Sequence, residues 1–285
     1  MKRLYLPLAA MAFVASACSL LTSFSGLSGG APPDDASVDG AVAPGADGSR
    51  EDAGEGGSVG RILIDPDAPF VGEALGNGSP IDVVVTTSGP DRLLVAVVAW
   101  GSANNAHGPL TIEGGGLTWT PAAGQTLSAG NKADHAVVEL WTAVAAAPLS
   151  GVTIKATATN GLVAGGSAAF AVWPVTGYRV GRPVGRTSVS ENSSDRLETG
   201  PVGTTVTQTT VGSLVLGGAC KIDPSGAFTE RADNTLIKAA WDNSTSVRCN
   251  VWRLSGLSLG GDVTIGAVSP LSTNWVATAV EIVPQ

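Results

Sequence analysis

Residues 135–177 read HAVVELWTAVAAAPLSGVTIKATATNGLVAGGSAAFAVWPVTG, three runs dense in Val, Ala, Thr and aromatics, divided by Pro, Ser, Asn and Gly. Such runs between turn residues read as β-strands. A fainter copy closes the chain over residues 247–284. Trp141 recurs as Trp252, Val152-Thr153-Ile154 as Val263-Thr264-Ile265, and Trp173-Pro174 as Val283-Pro284. The spacings are 111, 111 and 110 residues (252 − 141, 263 − 152, 283 − 173). A strand-rich unit repeated at near-constant spacing restricts the chain to an all-β fold made of two pseudo-repeated halves.

Other strands are expected at residues 61–64, 81–87 and 93–100, and in the second half at 203–210, 214–220, 227–231, 235–241, 247–254, 263–267 and 275–283. The run LLVAVVAW at 93–100 is apolar at both parities, the pattern of a central strand covered on both faces. Residues 110–113 and 117–120 flank Gly114-Gly115-Gly116 and read as a hairpin. Residues 125–132 are polar and turn-rich. Residues 178–194, with Arg179, Arg182 and Arg186, read as the longest irregular stretch of the folded part. Closely spaced strands without helical spacers predict an antiparallel, jelly-roll-like β-sandwich. Its halves, about 61–177 and 195–285, form either two tandem domains or one interleaved sandwich. With no charged linker between them, one domain over 61–285 is favoured.

The chain carries 24 acidic and 16 basic residues, a formal charge of −8. Residues 31–60 hold seven of those acids and one base, so the acidity belongs mostly to the region before the sandwich. An acidic chain without a basic patch in its sequence argues against a nucleic-acid partner.

Lys2 and Arg3 precede an apolar run at residues 4–14 that ends in Ala15-Ser16-Ala17-Cys18. The run has signal-peptide length and is too short to span a bilayer. Small residues before a cysteine resemble the lipobox of bacterial lipoproteins. That resemblance implies a signal peptide at 1–17 and lipid attachment at Cys18. Ser19 after the cysteine implies export to the outer membrane, since Asp there marks inner-membrane retention. Residues 18–60 are rich in Gly, Pro and Asp with little aliphatic content, and are expected to form a disordered, acidic tether.

Within residues 81–284, the leading strand at 93–100, Leu117–Thr120, Glu139-Leu140-Trp141, Val152–Ala156, Ala171–Gly177, Gly212–Gly218, Phe228–Arg231 and the closing Trp275 strand resemble a β-sandwich domain of secreted bacterial proteins. The resemblance implies an exported domain of no settled activity and assigns no catalytic residue.

The residues themselves offer little catalysis. His107 and His135 are the only histidines and lack metal-ligand spacing, so neither a metal nor a cofactor is expected. Glycosidases need paired carboxylates, whereas Glu139 stands alone on its strand, so a hydrolase is the weaker expectation. Trp141 shares its strand face with Glu139, and Trp252 shares its face with Arg248 and Asn250. Indoles beside polar neighbours make Trp141 and Trp252 candidates for stacking on a sugar or another surface ligand, although sandwiches also bury tryptophan as scaffold. Cys220 and Cys249 remain as an even pair once Cys18 is acylated; they form either a disulfide or two buried thiols, and an oxidising compartment favours the disulfide. The sequence therefore points to a non-catalytic surface-binding lipoprotein. Its expected partners are the membrane through its anchor and a glycan or an envelope protein; a carbohydrate-binding module is the alternative, and a structural envelope component the blander one.

Overall fold

The structure is a computed structural model that describes residues 61–75, 80–102, 109–129, 134–159, 166–192, 200–222, 227–241, 247–271 and 274–285. The expected signal peptide, Cys18 and the tether lie outside the described residues, as does His107; His135 falls within a strand. All sixteen named elements are strands, and every pairing is antiparallel. The first half holds β1 (Leu63–Ile64), β2 (Phe70–Leu75), β3 (Ile81–Val85), β4 (Arg92–Ser102), β5 (Leu110–Gly114), β6 (Thr120–Ala129), β7 (Asp134–Ala145), β8 (Val152–Ala158) and β9 (Gly166–Thr176). The second holds β10 (Val184–Asn192), β11 (Gly200–Thr209), β12 (Leu214–Ile222), β13 (Asn234–Trp241), β14 (Val247–Leu254), β15 (Gly261–Leu271) and β16 (Asn274–Ile282).

Each half closes its own two-sheet sandwich, and the plan is the same in both. The inner sheet of the first half runs β2-β9-β4-β7-β6, with β1 also on β9, and its outer sheet runs β3-β8-β5. In the second half the inner order is β10-β16-β12-β14-β13, and the outer sheet is β11-β15. Glu230 bridges Ala267 of β15 at the place that Ile112 of β5 takes on Ala156 of β8. This is the double-sheet pattern of a jelly roll, used twice. No named strand of one half pairs with a strand of the other, so the halves are stacked rather than interleaved. Together they form one compact unit. The second half opens at Val184, not near residue 195.

Hydrophobic burial dictates the stacking. The inner sheets face each other across a core that includes Val95, Val97, Leu140 and Trp173 from one half and Leu216, Val251, Val280 and Ile282 from the other. Each inner sheet buries its opposite face under its own outer sheet, in cores centred on Trp100 with Phe170 and on Trp252 with Ile265. That is why β4 is apolar at both parities: Leu93 through Ser102 are all buried. A buried hydrogen bond from Thr278 Oγ1 to the Val138 carbonyl, at 3.1 Å, joins the two inner sheets through this core. At the entry to the first half, the buried Asp65 carboxylate takes hydrogen bonds from the Ser88 backbone N–H, the Ser88 hydroxyl and Arg92 Nε.

Several local expectations change. The strand expected at residues 227–231 is reduced to a single bridge, Glu230 to Ala267. Residues 184–192 form β10, an edge strand whose mixed exposure conceals its strand period. Residues 125–129, read as turn, complete β6. The segments around Gly114-Gly115-Gly116 do not pair as a hairpin. Gly115 and Gly116 adopt φ of 68° and 64°, and this turn carries the chain from β5 in the outer sheet to β6 in the inner one. Finally, cross-strand pairing sets the register of the repeat. Val97 faces Leu140 and Ala171, while Gly218 faces Val251 and Thr278. The counterpart of Trp173 is therefore Val280, not Val283; the shared Pro had suggested a slip along the strand. The match of Trp141 with Trp252 holds, because Ala96 and Gly217 face them at equivalent places.

Candidate ligand groove

Trp141 lies on β7 between Ala96 of β4 and Pro121 of β6. Its side chain leans on the core beneath the outer sheet. That sheet has three strands, the inner sheet below it is wider, and the β7–β6 margin is left partly uncovered. The result is a groove of about 380 Å³ lined by Pro109, Leu110, Pro121, Gly124, Glu139 and Trp141, among others. Strand alternation places Glu139 and Trp141 on one face, two residues apart. Both are half-buried. Trp141 Nε1–H donates to Glu139 Oε2 at 2.9 Å.

Gly124 faces Glu139 across the β6–β7 pair. A Cβ at Gly124 would stand 2.9 Å from Glu139 Cγ, so the glycine makes room for the carboxylate. Burial pushes the Glu139 carboxyl above its ordinary value of 4.5, with the Trp141 N–H pulling the other way. The groove thus offers an indole backed by core, prolines on its rim and one fixed acceptor. Such a surface can stack on the apolar face of a ring and accept a hydrogen bond from a ring hydroxyl.

Trp252 does not share this exposure. It is fully buried in the core of the second half. Phe228 meets it edge-on, with ring centroids 5.3 Å apart and an interplanar angle of 80°. The bridges at Glu230 and Ile112 make Phe228 the counterpart of Leu110. Where Leu110 forms a wall of an open groove, the larger Phe228 closes it. A sealed indole has no free face for a sugar, so the pair expected from the sequence reduces to Trp141. Asn250 replaces Glu139 and Ala239 replaces Gly124 at the equivalent positions.

One step along the sheet, the cross-strand neighbours Trp100 and Val137 of the first half become Lys221 and Arg248 of the second. Both cations are buried, in contact with aromatic faces. Lys221 Nζ lies 5.4 Å from the Phe228 centroid, and the Arg248 guanidinium lies 4.1 Å from that of Trp241. Cys220 and Cys249 are direct partners on β12 and β14 and form a disulfide with Cα atoms 4.1 Å apart, facing the core between the halves.

Reading the sequence for parity identifies Glu139 as the companion of Trp141. It does not find Pro121, Gly124 or Leu110, because their approach to Trp141 depends on the path of β6 and β5. Compared with known proteins, the chain matches no family model, no curated protein and no solved structure.

Proposed function

We propose that this chain is a lipid-anchored protein of the bacterial outer membrane whose paired sandwiches bind a saccharide, and that the sugar ring stacks on Trp141. The observation that carries the binding reading is the groove at Trp141 and Glu139, open in the first half where Phe228 seals its counterpart. Binding rather than hydrolysis is favoured because Glu139 is the sole carboxylate lining the groove among the described residues and is committed to the Trp141 N–H. The anchor rests on the sequence Ala15-Ser16-Ala17-Cys18 after a short apolar run. Several acyl chains on one cysteine would hold the chain to a bilayer without a transmembrane segment.

Two experiments test the two parts. Full-length chain purified in detergent is applied to a glycan array, with Trp141→Ala alongside. Binding to a family of glycans that the variant loses is the expected result; no binding by the wild type, or binding that survives Trp141→Ala, overturns the saccharide reading. Labelled palmitate should enter the wild type and not Cys18→Ala. Equal labelling of both removes the anchor.

A further inference from the structure

The segment joining the two halves builds a second cleft on the surface. Residues 178–186 contain Arg179, Arg182 and Arg186 and no acid, in a chain of net charge −8. The sequence shows no basic patch because the three are spread along a stretch that reads as irregular. The start of β10 instead gathers them around one cleft of about 350 Å³, with Gln208, Thr210 and Glu281 completing its walls. All three arginines are exposed, and none is in an ion pair among the described residues.

The one carboxylate lining the cleft among the described residues is already engaged. Glu281 is buried; its Oε1 accepts from the Ser213 hydroxyl at 2.6 Å and from the Thr210 N–H, and its Oε2 accepts from the Arg186 N–H at 2.9 Å. Burial pushes this carboxyl up, but these donors outweigh it and hold it below its ordinary value. Glu281 therefore fixes the backbone of Arg186 and Thr210 from below and leaves the guanidiniums uncommitted. Gly185 lets it do so, since a Cβ there would strike the carboxylate. The opposite wall is also held in an unusual state. Gln208 has φ of 53°, rare for a residue other than glycine, at a break in the β11–β15 register. Asp262 Oδ1 holds the Gln208 N–H at 3.0 Å.

Planar guanidinium forks match the oxygens of a phosphoryl group, and three of them on one cleft suit more than one negative charge. We propose that this cleft binds a phosphoryl-bearing ligand, held by Arg179, Arg182 and Arg186 with Gln208 as an uncharged partner. The assignment is independent of the Trp141 groove.

The test is isothermal titration of the full-length chain in non-ionic detergent at low salt, with inorganic pyrophosphate and glucose 6-phosphate titrated separately. Saturable binding of at least one is expected, weakened about tenfold by Arg182→Ala and again by Arg186→Ala. Arg182→Lys should recover only part of it, because the charge returns without the fork. Trp141→Ala should leave it unchanged, so failure here and failure of the saccharide reading are separable. Tighter binding of glucose 6-phosphate assigns a sugar-borne phosphate, and tighter binding of pyrophosphate a free one. The arginines are exposed and unpaired, so near-ultraviolet circular dichroism of the variants should match the wild type. Absence of saturable binding by both probes overturns the proposal. So does binding that the folded Arg179→Ala/Arg182→Ala/Arg186→Ala variant retains.

Discussion

Trp141 and Trp252 occupy the same position in two copies of one strand, yet one borders an open groove and the other is sealed. The scaffold does not make the difference: strand order, pairing and the small residue beside each indole correspond. A few neighbours do. Leu110 against Phe228 and Glu139 against Asn250 convert a half-buried, carboxylate-bearing face into a filled core, and Ala239 stands where Gly124 makes room for the carboxylate. In a repeated fold, the strand pattern identifies the scaffold, and departures from the repeat mark where function can reside.

Among substitutions that separate the two sites, the largest effect is expected at Trp252. Trp252→Ala should destabilise the chain by about 3–5 kcal/mol in denaturant unfolding, the usual range for emptying a fully buried aromatic site; Trp141→Ala should cost clearly less, and equal losses would mean that the two sites are equally buried. Next comes the disulfide between Cys220 and Cys249, 29 residues apart. Replacing both by Ser should cost about 3.6 kcal/mol on the chain-entropy account, read under the same conditions. Leu110→Phe imitates the second half. It should leave the fold intact and weaken any ligand stacked on Trp141 by about 1 kcal/mol, measured as affinity for the best glycan of the array.

The smallest effect is expected at Glu139. Its carboxyl holds a proton more tightly in the folded chain than in the unfolded one. Its contribution to stability is thus fully present below 4.5 and is lost as pH rises through the raised folded value. Glu139→Gln should therefore match the wild type in Tm at acid pH and exceed it slightly at neutral pH. A Tm deficit at neutral pH would show that the charged form is the stabilised one.

Much of this architecture is legible because burial leaves a pattern in sequence. β4 and β12 are apolar at both parities because both faces are covered, and the copy of Trp141 at Trp252 marks the repeat. What escapes is set by edges and by register. β10 is an edge strand with one exposed flank, so its polar residues resemble loop. The groove at Trp141 combines β5, β6 and β7, which lie in two different sheets, and no local period in the chain encodes that meeting. Likewise, both Trp141 and Trp252 have polar same-face neighbours. The contact of Phe228 with Trp252, which closes the second site, is not encoded in that local pattern.

The central claim is that the first half presents an open indole where the second closes over its own. Hydroxyl-radical footprinting of the full-length chain, read by mass spectrometry on each tryptophan, tests it most directly. Trp141 should be oxidised readily and protected when the best glycan of the array is added, with Trp252 unmodified in both samples. Oxidation of Trp252 at the rate of Trp141, or a bound glycan that leaves Trp141 unprotected, would contradict it.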